Sequence, residues 1–413
     1  VIAHEFCHLK YKTHSKGFFE MMERYMEDYD YYDSYGLTLP PYSDNDFENA
    51  DWPNGYRDID PFESYRQVFN GALSMFDNPE LIFSRGQNQG DRNLADMVLH
   101  QLPTSANGWN THGMTQKMCD AYYMYNGSEF NRQTFLDTCQ VENRFVSEKA
   151  GTYPYLKKGV WKEYAWREPR FYASVAFNGC VWPLLNNSTL KDPKPVEQQV
   201  FYYRGNGNGY TNSNFWLRTG IGIMKFVHPD DTSAAKGNKD YVKLKTEPAI
   251  RFAEILLIYA EALNELEDGS SYDIPSWDGS ASYSVKRDIN EMKKGIRPVR
   301  CRAGVPDYTL PEYQDRNVFR KKLKHERQIE LMGEGHRYFD LRRWKDAPIE
   351  ESMEIYGCDA LMTEENRAAF HSPIVVNELP TAFSRKLYFW PISHEELKRN
   401  KLLTQNPGWT YND

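Results

Sequence analysis

The sequence predicts a mostly α-helical fold with a loop-rich, minor-β middle. Three observations lead there. Apolar residues recur at helical spacing near both ends of the chain. Between them lies a long stretch broken by Gly, Asn and Pro. Nowhere do strands and helices alternate in the βαβ order that a doubly wound sheet requires.

Residues 1–33 read as two helices broken near Ser15-Lys16-Gly17, with Ile2, Phe6 and Leu9 on one face and Phe18, Met21, Met22, Tyr25 and Met26 on the next. Residues 36–60 hold Pro40-Pro41 and Pro53-Asn54-Gly55 and read as loop. A helix is expected over 61–76, a short strand at Leu81–Phe83, a polar loop over 86–113, and a helix over 115–126 capped by Thr115. The span 127–250 is irregular, with candidate strands at Phe171–Phe177, Val200–Tyr203 and Ile221–Val227. Within it Arg204-Gly-Asn-Gly-Asn-Gly-Tyr210 is a flexible loop, since no strand–turn–helix surrounds it to make a dinucleotide cradle. Beyond it, Ile250–Leu266 is strongly amphipathic, and further helices are expected over Ser284–Gly295 and Val318–Gly333. The tail, 373–413, reads as loops around an apolar strand at Leu387–Trp390. Three parts follow: a helical scaffold over 1–126, an irregular part over 127–249, and a C-terminal helical part over 250–413.

Composition narrows the function. A net charge of −8 with no basic stripe argues against nucleic-acid binding. No run of about 18 apolar residues suggests a membrane-spanning helix. The chain opens Val1-Ile2-Ala3 and is read as an incomplete N-terminus. Six cysteines show no CxxC spacing, so a structural zinc site has no support and free thiols are expected. The 29 Tyr, 22 Phe and 10 Trp fall often in polar, Gly/Asn-rich stretches, where aromatic faces suit stacking on sugars or peptides.

The densest chemistry lies between Lys324 and Trp344. Glu326, Glu330 and Glu334 recur at i, i+4, interleaved with Arg327, Arg337, Arg342 and Arg343, with Asp340 between. A carboxylate pair for acid–base catalysis needs split pKa values. Guanidinium neighbours instead hold carboxylates ionised and acceptor-only, so a structural ion-pair network is expected.

This block resembles the C-terminal signature of the SusD/RagB family: Glu326-Arg327, Glu330-Leu331, Glu334-Gly335, Arg337, Asp340-Leu341 and Arg343-Trp344. Four more segments agree in order: Thr115–Met118 running into Asp120-Ala121-Tyr122 and Asn126-Gly127, Arg167–Tyr172, Pro248–Ala262, and Leu403–Trp409. The resemblance implies a tetratricopeptide-like helical-repeat scaffold carrying a loop-rich, minor-β ligand-binding subdomain. It also implies a lipid-anchored protein of a Bacteroidetes outer membrane, partnered with a SusC-like, TonB-dependent barrel. Such proteins bind glycans or, in the RagB branch, peptides, and do not cleave them. The family's lipid-bearing Cys and first repeat helices are not found in this chain.

Candidate ligand contacts are loop aromatics near amides: Trp109, Trp161, Trp182, Tyr202, Tyr203, Tyr210, Trp216 and Trp277. The competing account of each is packing. No cofactor is expected. Calcium is conceivable only at Asp44, Asp46, Asp230 and Asp231, whose spacing matches no EF-hand. A rival motif stands at the start. His4-Glu5-Phe6-Cys7-His8 is a literal HExxH with His14 downstream, the arrangement a zinc metalloprotease uses, although Tyr11 stands where its sharp turn wants Gly.

Overall fold

The computed structural model describes residues 60–85, 93–140, 143–147, 155–184, 196–211, 216–232, 242–377 and 379–410. The expected helices of residues 1–33 and the HExxH segment lie outside these.

Helices dominate. The first half holds α1 (Pro61–Arg66), β1 (Leu81–Arg85), α2 (Asn93–Gln101), α3 (Gln116–Ala121), α4 (Arg132–Thr138) and α5 (Pro169–Ser174). Short strands follow: β2 (Val175–Ala176), β3 (Cys180–Leu184), β4 (Val196–Val200), β5 (Gly222–Ile223) and β6 (Glu247–Arg251). The second half runs α6 (Phe252–Glu265), β7 (Ser271–Pro275), β8 (Ser282–Lys286), α7 (Ile289–Arg302), α8 (Leu310–Gln314), α9 (Arg316–Glu330), α10 (His336–Arg343) and α11 (Ala347–Glu350). Last come β9 (Tyr356–Gly357), α12 (Arg367–Phe370), β10 (Ile374–Val375) and α13 (His394–Arg399). Every sheet among the described residues is a two-stranded antiparallel pair: β1 with β6, β2 with β5, β3 with β4, β7 with β8, and β9 with β10.

Local chemistry sets the helix starts. Asp60 accepts from the backbone N–H of Phe62 and Glu63 ahead of Pro61, Thr115 from Met118, Asp288 from Asn290 and Glu291, and Asp315 from Asn317 and Val318. The start of α6 is capped from a distance: the Glu80 carboxylate accepts from the Ala253 N–H at 3.2 Å.

Several expectations are corrected. Residues 61–76 are helical only to Arg66. The loop expected over 86–113 contains α2, whose Leu94, Val98 and Leu99 are buried. Phe171–Phe177 is largely helix, because Pro169 at the first helical position presets α5 and every residue of that helix is buried, leaving no exposed face to give a period. Ser284–Gly295 is displaced to Ile289–Arg302, since 282–286 pair as β8. The apolar run Leu387–Trp390 begins as a 3-10 turn, not a strand.

Two apolar clusters form the core. One lies among α6, α7 and α9 and contains Leu257, Leu263, Met292, Ile296, Phe319 and Leu323. The larger draws Tyr65 and Leu99, Trp161 and Tyr202, and Ile329 and Phe370 into one body. All three parts expected from the sequence therefore contribute to a single cluster.

Candidate ligand-binding surface

Two constructions matter for function: a buried charged frame and a set of aromatic loops.

The frame is built on α9 and the turn after it. Arg170 on α5 donates to Glu168 and Glu326 at 2.7 Å each and to Glu330 at 2.8 Å. Arg251, at the junction of β6 and α6, donates to Glu80 and Glu330 at 2.8 Å and to Glu334 at 2.6 Å. Arg300 donates to Glu326 at 2.7 Å, Arg302 pairs with Glu330, and Lys225 donates to Glu334 at 2.7 Å. Five carboxylates thus meet five cations, almost wholly out of solvent. Burial alone would raise Glu330, but the guanidinium groups of Arg302, Arg251 and Arg170 hold it well below the usual carboxylate range. Glu326 and Glu334 are held low against burial in the same way. Carboxylates so fixed accept hydrogen bonds and do not exchange protons near neutral pH.

The helix expected through Gly333 ends at Glu330. Gly333 and Gly335 adopt φ of +79° and +85°, and the turn they permit carries Glu334 back beneath Arg251. A second tier lies outside: Arg327 and Arg343 both donate to Asp340, Arg343 also grips Glu261, and Arg337 reaches Glu350 at 3.3 Å. The partners Glu80 and Lys225 gave no signal in the sequence, because each meets its frame partner from more than 100 residues away, whereas Glu168 lies two residues from Arg170 in the quoted Arg167–Tyr172 segment.

Of the eight candidate aromatics, Trp161, Trp182, Tyr202 and Tyr203 are walls of the core, each at most 2% exposed. Their faces are covered by protein; Trp161, for example, stacks on His371 with centroids 4.7 Å apart. Trp277 is 98% exposed at the tip of the β7–β8 hairpin, remote in sequence from the rest. Trp109, Tyr210 and Trp216 are half-buried on loops.

Those loops are tied together. The turn after α2 is closed by Trp109 N–H donating to the Leu99 carbonyl at 2.7 Å and by Asn107 and Asn110 in the left-handed region, which Asn tolerates. Asn110 then donates through its amide to the Asn208 carbonyl at 2.7 Å, while the Asn208 side chain accepts from the Ser105 N–H at 2.9 Å. The loop over 204–210 is thereby fastened to the Trp109 turn. Gly113 bridges to Gly222, which brings the segment after Trp216 alongside. Tyr210 meets Trp216 edge-to-face at 4.9 Å, and His100 lies against Trp109 at 4.4 Å and stacks on His112 at 4.6 Å. Arg204 lies 5.8 Å from the centre of the Tyr210 ring and Arg218 lies 5.3 Å from that of Trp216. Neither arginine stood among the sequence candidates. Their signal was placement: one opens the Gly/Asn loop and the other follows Trp216 by two residues. The surface offers ring faces, amides and guanidinium groups, which is binding chemistry.

Asp231 is buried and accepts from Lys245 Nζ at 2.7 Å and from the Lys243 N–H at 2.8 Å. Lysine thus supplies the positive charge at Asp230 and Asp231 that calcium was considered for, with Lys243 3.3 Å from Asp230. Asp44 and Asp46 lie outside the described residues. Among the described residues no group of three or more His, Cys, Asp or Glu is placed to hold a metal, and no helix is long and apolar enough to cross a membrane. Cys119, Cys139, Cys180, Cys301 and Cys358 are free thiols.

Comparison with known proteins gives two family matches. The model of the SusD family matches residues 79–409, and that of a YgjP-like metallopeptidase domain matches residues 1–34. A SusD-like protein P2 from Formosa agariphila is 29% identical over 164 residues, covering 39% of this chain and 25% of the relative. A SusD-like protein from Bacteroides fragilis has a similar structure, with a TM-score of 0.58 at 23% identity, over 85% of this chain and 58% of that one. A SusD-like carbohydrate binding protein from the same species gives 0.56 at 21%, over 83% of this chain and 57% of that one. The chain therefore spans under two thirds of these relatives' length. The shared architecture is the helical-repeat scaffold with a loop-rich, minor-β part.

Proposed function

The chain belongs to the SusD family, and on that premise we propose that it is a non-catalytic, surface-exposed glycan-binding component of an outer-membrane importer. It captures oligosaccharide on the Trp109–Tyr210–Trp216 surface and presents it to a SusC-like, TonB-dependent barrel, with lipid anchoring holding it at the membrane. The observation that carries this reading is the pair of aromatic loops fastened to each other through Asn110 and Asn208. Rings held in place bind sugar faces at low entropic cost, and adjacent amides and guanidinium groups select hydroxyls and substituents. The carboxylates that might have served as acid and base are spent on arginine. The carbohydrate binding stated for the Bacteroides fragilis relative supports the ligand class.

Calorimetric titration of the full chain against a panel of oligosaccharides and peptides tests this. Binding to a glycan, weakened about tenfold or more by Trp109→Ala, is expected, since one stacked ring contributes roughly 1–3 kcal/mol. Failure to bind any glycan, with no barrel recovered on pull-down of the lipidated protein, would remove the reading.

A second reading is favoured by the metallopeptidase match over residues 1–34. His4, His8 and His14 would hold zinc with Glu5 as general base. Stoichiometric zinc in the purified chain, lost in His8→Ala, supports it; a metal-free chain ends it.

A further inference from the structure

We propose that the tip of the β7–β8 hairpin is a second saccharide-binding station, where Trp277 stacks on an uncharged sugar ring beside Tyr283 and the Asp278 carboxylate. The ligand class rests on the glycan-binding reading above, but the site is separate. It shares no residue with the Trp109–Tyr210–Trp216 surface and stands on a different core. Val285 at the root of the hairpin packs against the cluster of α6, α7 and α9, whereas Trp109 and Trp216 pack against the larger one.

The case starts from how the ring is presented. Trp277 is 98% exposed, so it adds almost nothing to the packing of this chain. Yet the turn that carries it is closely tied. Ser276 N–H donates to the Ala281 carbonyl at 2.8 Å, and Gly279 N–H to the Ser276 carbonyl at 3.0 Å, with Gly279 in the left-handed region at φ +69°. Asp278 Oδ1 accepts from the Ser276 hydroxyl at 2.7 Å, the Ser280 hydroxyl at 2.8 Å and the Ser280 N–H at 3.1 Å. These bonds hold the carboxyl down at about 2, so it stays an acceptor at neutral pH. All three fall on Oδ1, which leaves Oδ2 to accept from a ligand hydroxyl. A ring fixed on such a turn has little freedom left to lose on binding.

The strands below the tip continue the surface. Tyr272 lies opposite Val285 and Ile274 opposite Tyr283, which puts these four on one face. Val285 closes the root of that face, while Tyr272, Ile274 and Tyr283 are exposed. Apolar side chains gathered in the open mark a surface that something else covers. The residues select the occupant. From Tyr272 to Val285 there are two carboxylates, Asp273 and Asp278, four serines, and no Lys, Arg or His. The nearest cations, Lys286 and Arg287, sit at the root, and Arg287 donates inward to the Tyr313 carbonyl at 2.7 Å. That charge repels lipid phosphates and acidic glycans alike. Pro275 and Asp273 within β7 oppose strand addition by a second copy or a partner protein. Rings, hydroxyls and an ionised carboxylate suit a neutral sugar, which offers C–H faces to the rings and O–H donors to the oxygens.

Oxidation of the full chain by N-bromosuccinimide, mapped by mass spectrometry with and without neutral oligosaccharides of glucose, mannose, galactose and xylose, tests the inference alongside titration of Trp277→Ala, Trp277→Phe and Trp109→Ala. Trp277 touches so little of the chain that its variants should melt as the wild type does. The expected result is that at least one oligosaccharide shields Trp277 from oxidation and keeps shielding it in Trp109→Ala. Trp277→Ala should weaken that ligand about tenfold, and Trp277→Phe should recover most of the loss. The inference is overturned if every ligand that binds leaves Trp277 as reactive as before, or if Trp277→Ala binds them all as the wild type does. It is also overturned if only phosphatidylcholine vesicles or a rise in protein concentration shields the ring, which would assign the hairpin to a lipid surface or a second copy. In each of those cases glycan binding lost in Trp109→Ala leaves the proposed function standing. Silence across all the oligosaccharides removes the inference and that function together.

Discussion

At the scale of single residues, burial decides which charges are structural. Glu330 is fully buried and shared by Arg170, Arg251 and Arg302. Removing one partner of a buried ion pair strands the others, so Glu330→Gln is expected to cost about 3–5 kcal/mol in urea unfolding at neutral pH. The sign with pH follows. A carboxylate held below its unfolded value contributes stability above that value and loses it as acid protonates it, so the gap between wild type and variant should narrow in acid. His371 has the opposite chemistry. Burial, reinforced by the charge of Arg132, holds it well below an ordinary histidine. The unfolded chain therefore binds a proton below about pH 6.5 that the folded chain refuses, and stability is lost as pH falls. His371→Phe keeps the stack on Trp161 and removes that cost. Its stability relative to wild type should rise by up to about 1.4 kcal/mol per pH unit below about 6.5, as read by unfolding at two pH values. The sequence already identified the Glu/Arg block as architecture, because both charges crowd one segment. It gave no hint of His371, whose burial among rings depends on distant packing.

At the scale of elements, existence was easier to read than extent. Amphipathic α6 and α9 were legible from period alone, and Thr115 marked a true cap. Fully buried α5 had no polar face to betray its period. Of hairpin β7–β8 only Ser284–Lys286 fell inside an expected helix, and both strands lie largely exposed. The helix pair α6–α7 depends on a close approach at Gly295. A β-carbon there would meet the Leu256 carbonyl at 2.6 Å and the Ala260 β-carbon at 2.9 Å. Gly295→Ala is usually neutral or stabilising in a helix, by up to about 1 kcal/mol. Here overpacking is expected to win, with a loss of about 1–3 kcal/mol on thermal or urea unfolding. A variant as stable as the wild type would show that the two helices shift apart freely.

At the scale of the whole molecule, the frame and the larger core cross every boundary expected from the sequence. Arg170 comes from the irregular middle, Glu80 from the first part, and Glu326 and Glu330 from the last. A fragment spanning 250–413 would bury or expose Glu326 and Glu330 without Arg170. It is expected to unfold without a cooperative transition, whereas the described body of the full chain should unfold as one. Superposable melts of fragment and full chain would contradict this. The aromatic loops were only partly legible for the same reason. Sequence marks a ring in a polar stretch, but only packing decides whether a Trp faces solvent, as Trp216 partly does, or disappears, as Trp182 does.

The four-residue spacing of Glu326, Glu330 and Glu334 in the sequence carries a hazard of its own, for a repeating pattern invites misalignment by one rung. Sliding the segment one way would bring Lys322 to the station of Glu326, facing Arg170 and Arg300. Sliding it the other way would offer Tyr338 where Lys225 and Arg251 require Glu334. Each error sets cation against cation or abandons a lysine in the interior, so the residues flanking the ladder proofread its register.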